Sequence, residues 1–108
     1  MNPFIQAVYS VMNQNIDFFS NIKSVSKDYD VTNFSEFSFL WSFSDVLPRD
    51  VRVISAVKGA SQTPCILLLA WSYDVTTKTI TISKMVELLD SSIAQLNGNY
   101  KFTIRATV

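Results

Sequence analysis

Three groups of side chains in this sequence have chemistry to offer: one thiol, a scatter of carboxylates and a row of aromatic rings. The thiol is Cys65, the only cysteine. A cysteine nucleophile acts as the thiolate, which needs a nearby base or positive charge to form. The chain has no histidine to serve as that base. Cys65 follows Pro64 at the start of the most apolar run, where a thiol acts as a small buried hydrophobe. The carboxylates include Asp28 and Asp30, Asp45 and Asp50, and Glu87 and Asp90. Two carboxylates at a suitable separation can run glycoside chemistry in a deep cleft. All six fall in expected turns or on expected polar faces, where charges ordinarily sit. The stretch that begins at Asp28 also lacks the spacing and the glycine of a calcium loop.

The aromatic row is Phe37, Phe39, Trp41 and Phe43, at every second position. Rings on a sheet can stack nucleic-acid bases. No basic residue interleaves these four, and nine Lys plus Arg balance nine Asp plus Glu. Phosphate binding needs a basic excess, so no nucleic-acid partner is expected. The plainer reading makes the row the inner face of a strand. Gly59 and Gly98 are the only glycines, too few and too far apart for a phosphate loop. Without histidine, and with one cysteine, no metal site is expected. We assign no catalytic residue and no cofactor, and expect a protein that is not an enzyme.

The elements that would position these residues follow from periodicity. Residues 2–26 carry apolar side chains at three- and four-residue steps, with Asn2 and Pro3 suited to start a helix. The apolar face spans about half of that predicted helix, with Ile5 widening it and Asn15 near its middle. Residues 27–35 are polar and read as a loop. Residues 36–46 alternate and predict a strand, with residues 51–57 as its hairpin partner. Residues 65–73 are apolar on both faces, which predicts a central strand covered on both sides. A short strand follows at 79–82. Val86, Leu89, Ile93 and Leu96 sit at helical steps and predict a second helix over 84–97, with Gly98 closing it. Residues 100–107 alternate as a last strand.

The expected order is α-β-β-β-β-α-β. That is an α+β fold: a five-stranded antiparallel or mixed sheet with a long N-terminal helix and a second helix before the last strand. Residues 1–108 form one domain in this reading, since 108 residues is an ordinary domain length. The N-terminus has no basic stretch of a signal peptide. The longest apolar run is far shorter than the roughly 18 residues that span a bilayer. A cytoplasmic location is expected, or the host cytoplasm or virion for a viral protein, with no membrane partner.

Two functions fit. The first is a non-catalytic assembly or interaction protein, homo-oligomeric or bound to a protein partner. Charged residues make up 17% of the chain and the net charge is zero, which favours association. Its interface candidates are Ile5, Met12, Asn15 and Phe19 on the long helix, and Ser38, Ser42 and Ser44 on the small-residue face of the first strand. Asn15 would set register, as a buried Asn does in paired helices. Small virion components, phage accessory proteins and inhibitors of host enzymes match this description. The alternative is a small-molecule binding domain with a pocket between helix and sheet. Trp41, Phe43, Trp71 and Tyr73 would line it, and Asp74 or Thr76 would supply polar contacts at the rim.

Overall fold

The computed structural model describes residues 22–108. They fold as eight strands: β1 (Ser24–Thr32), β2 (Phe37–Leu40), β3 (Asp50–Lys58), β4 (Thr63–Pro64), β5 (Ile66–Asp74), β6 (Thr79–Leu89), β7 (Ser92–Gln95) and β8 (Asn99–Thr107). The first sheet has the order β1-β8-β3-β4. The second has the order β2-β6-β5, with β7 also paired to β6. Every pairing is antiparallel. The α+β expectation is therefore corrected to all-β among the described residues. As far as residue 21, the helix expected over 2–26 lies outside the described residues. Its expected last turn is the start of β1.

Three local readings change with the fold. Residues 27–35, expected as a loop, are mostly β1. Its charges Lys27, Asp28 and Asp30 are exposed on an edge strand, where charge protects against unwanted pairing. The helix expected over 84–97 is the second half of β6, a tight turn and β7. Leu89 pairs with Ser92, which leaves Asp90 and Ser91 as the turn. Asp90 sits at φ 49°, a region that Asp tolerates well. Gly98 does take a positive φ, 100°, but in the connection from β7 to β8. The expected hairpin of β2 with β3 does not form either. β2 pairs with β6, and β3 pairs with β8.

The sheets close on each other through alternate side chains. Ile80 and Ile82 of β6, Leu67 of β5 and Phe39 of β2 face Phe102, Ile104 and Ala106 of β8 and Val51 of β3, all buried. An extra residue in β6 between Ile82 and Lys84 shifts the pairing with β5. This bulge lets both Ile82 and Met85 face inward. Along one side the sheets are joined by rings: Phe37 of β2 lies 4.5 Å from Tyr29 of β1 and 6.3 Å from Phe102 of β8. Along the other side β3 and β5 begin as neighbours and then diverge. The Cys65 amide donates to the Ala56 carbonyl at 3.1 Å, and β5 then enters the second sheet. β5 is thus an edge strand of that sheet, where a central strand covered on both faces was expected.

Candidate functional site

The divergence of β5 from β3 leaves apolar side chains on the outside of the second sheet. Ile66 pairs with Leu88, and Leu88 with Ile93; Leu68 pairs with Val86, and Val86 with Gln95. These two adjacent rows cross three strands. Ile66 is 58% exposed, Leu68 47%, Leu88 36% and Ile93 60%. Single exposed apolar residues are ordinary, but a contiguous group is the usual mark of a contact surface. The outer face of the first sheet is the opposite in character. There Ser26, Asp28, Asp30, Arg52, Ser55, Lys101 and Arg105 are exposed, with Arg52 bonded to Asp50 and Arg105 to Ser26, and a single exposed apolar side chain, Ile54, lies beside Arg52 and Arg105.

The edge of β5 adds to this surface. Among the described residues β5 pairs along its length only with β6. It runs for nine residues, ILLLAWSYD, without a charge before Asp74 and without proline. The other edges are better protected: β1 carries Lys27, Asp28 and Asp30, and β2 and β7 have four residues each. Between the open edges of β3 and β5 runs a shallow groove of about 380 Å³, lined by residues 50–53 and 66–69. Long unguarded edges of this kind accept added strands.

The interior holds a second notable group. Glu87 points inward from β6 and is 5% exposed. Lys58 of β3 donates to its Oε1 at 2.6 Å, and the Tyr100 hydroxyl of β8 donates to its Oε2 at 2.6 Å. The Asn97 amide donates in turn to the Tyr100 oxygen at 3.4 Å. Burial pushes the Glu87 carboxyl up, but the bonds from Lys58 and Tyr100 outweigh it and hold the group below its ordinary value. Burial and Glu87 push the Tyr100 hydroxyl up, and the hydrogen bond to Glu87 pushes Lys58 up. The Cys65 thiol near this group is also raised, first by burial and then by Glu87. A raised thiol is a poor nucleophile. Each polar atom here has a partner, so the group ties the sheets together rather than presenting an unsatisfied reactive atom.

Comparison of the chain with family models, curated proteins and solved structures finds no match. Among the described residues no helix is long and apolar enough to cross a membrane, and no three His, Cys, Asp or Glu side chains gather to hold a metal ion.

Of the residues singled out from sequence, Ile5, Met12, Asn15 and Phe19 lie outside the described residues. Ser38 is exposed on β2 and shares a hydrogen bond with Thr81 at 2.8 Å. Ser42 and Ser44 are exposed in the segment after β2, so the three serines do not share one strand face. Trp41 is 1% exposed, and its indole N–H donates to the Val46 carbonyl at 3.0 Å. Phe43 lies edge-on to it at 5.0 Å. Trp71 and Tyr73 are half-buried against the same core. Asp74 is exposed and accepts bonds from the amides of Thr76 and Thr77, which shapes the turn after β5. The outer rows with Ile66, Leu68, Leu88 and Ile93 were not expected as a surface. The signal for Ile66 and Leu68 was the doubly apolar run 65–73, expected as a central strand, while Leu88 and Ile93 fell in the segment expected as a helix.

Proposed function

We propose that the protein acts without catalysis, as an assembly or interaction module that docks through the outer face of its second sheet. The observation that carries this reading is the apolar patch of two adjacent rows, Ile66, Leu88 and Ile93 in one and Leu68 and Val86 in the other, beside an edge strand with no guarding charge. Ile66, Leu68, Leu88 and Ile93 are each exposed by more than a third. Full burial of such a side chain contributes about 1.5–3 kcal/mol, so completing the burial of the four would stabilise a contact by several kcal/mol. The polar, hydrogen-bonded outer face of the first sheet offers no comparable gain.

A photocrosslinking residue placed at position 68, and separately at position 101, tests the reading in cells of the native source. Position 68 lies in the apolar rows, and position 101 lies on the outer face of the first sheet. The expected result is a discrete protein adduct from position 68 and none from position 101. No adduct from 68, or equal adducts from both positions, would overturn the proposal.

A further inference from the structure

We propose that the occupant of this face is a second copy of the chain, stacked face to face with its strands running antiparallel to those below. The inference rests on the docking reading above and adds the partner and the geometry. The outward row on β6 is Lys84, Val86 and Leu88, and the turn at its end holds Asp90. Lys84 pairs with Ala70, Val86 with Leu68 and Leu88 with Ile66. Lys84 and Asp90 are both exposed, and neither belongs to an ion pair among the described residues. The row therefore has a positive end, an apolar middle and a negative end.

Two identical faces can stack about a two-fold axis lying between them, and the direction of the axis decides what meets what. An axis parallel to the strands sets Lys84 over the second copy's Lys84. An axis across the strands, passing over residue 87 of β6, sets Lys84 at both ends over the second copy's Asp90. The same operation lays Val86 over Leu88 and Ile66 over Leu68, apolar on apolar, and sets Ile93 over Gln95 at the margin of the patch. Of the two axes, only the crossed one pairs opposite charges while keeping Val86, Leu88, Ile66 and Leu68 in apolar contact. The net charge of zero leaves no overall repulsion between the copies to oppose it.

Sedimentation velocity across a concentration series tests the proposal through charge reversal. The wild-type chain is expected to show a reversible monomer–dimer equilibrium. Lys84→Asp and Asp90→Lys each put like charges together twice per dimer. Each should weaken the dimer by about tenfold or more. The double variant, Lys84→Asp with Asp90→Lys, restores opposite charges at both ends and should regain most of the wild-type affinity. A double variant as weak as either single one would overturn the antiparallel stacking. A wild-type chain that stays monomeric at about 100 μM would overturn the second copy as occupant. In that case an adduct to a different protein from position 68 would leave the docking reading standing, and no adduct at all would remove both.

Discussion

Glu87 shows how one residue can serve the fold while looking like a catalyst. A carboxylate beside a tyrosine, a lysine and a cysteine has the ingredients of acid–base chemistry. Its geometry gives it another task. Both oxygens accept bonds from the opposite sheet, Lys58 from β3 and Tyr100 from β8, and burial leaves it little access to anything else. The carboxyl titrates below its ordinary value in the fold. A carboxyl with a lowered folded pKa stabilises the fold above its unfolded pKa, and that stabilisation fades as pH falls through the folded value. Tyr100→Phe removes one hydrogen bond to the charged oxygen and should cost about 1.5–3 kcal/mol near neutral pH. The cost should shrink in acid, once pH has fallen through the lowered folded value and the carboxyl has taken up its proton. Urea unfolding of wild type and variant at neutral and at acid pH measures this. Equal losses at both would assign the effect to packing of the ring and not to the carboxylate.

At the scale of elements, the strands that could be read in sequence were those with uninterrupted alternation. β8 keeps Tyr100, Phe102, Ile104 and Ala106 inward and charged or polar residues outward, so its pattern carries one meaning. β6 hides its second half in two ways. The bulge before Lys84 breaks the alternation between Ile82 and Met85, and Glu87 places a charge at an inward position where an apolar residue would mark a strand. What remains, Val86, Leu89, Ile93 and Leu96, coincides with a helical step. β1 was hidden by its protection, because the charges that guard an edge also resemble a loop. The candidate site was half legible: Ile66 and Leu68 stood out in the run 65–73, whereas Val86, Leu88 and Ile93 fell in the segment that reads as a helix. That β5 leaves its second face open depends on where the strand lies in the sheet, and pairing over long separations decides that. Connections impose their own demands. Gly98 sits at φ 100°, and it exchanges two backbone-anchored bonds with Asn33. Its carbonyl accepts the Asn33 amide at 3.0 Å, and its amide donates to Asn33 Oδ1 at 3.1 Å. No atom lies within 4 Å of a Cβ added there, so Gly98→Ala strains only the backbone. A loss of about 1–3 kcal/mol is expected in denaturant unfolding. An unchanged midpoint would mean that the connection can adopt a negative φ without losing the link to β1.

Among the described residues the molecule is asymmetric about its core: one outer face is mostly polar and bonded, and the other carries the apolar patch. This asymmetry separates two kinds of leucine and isoleucine by how their replacement is felt. Ile82 is fully buried between the sheets. Ile82→Ala should destabilise the fold by about 2–5 kcal/mol, by the same amount at any protein concentration. Leu68 faces outward from the edge strand. Leu68→Lys should change the stability of the dilute protein by no more than about 0.5 kcal/mol. Its effect should grow with concentration, because association stabilises only the folded wild-type chain, and a lysine in the stacked face removes that contribution. Thermal unfolding of the three proteins over a concentration series reads both effects. The wild-type midpoint should rise with concentration. The Leu68→Lys midpoint should stay flat, meeting the wild-type value at the dilute end. Ile82→Ala should follow the wild-type slope from a lower start. A Leu68→Lys loss as large as that of Ile82→Ala at every concentration would place this face inside the folded chain. The rows across β5, β6 and β7 would then be core, and no surface for docking would remain there.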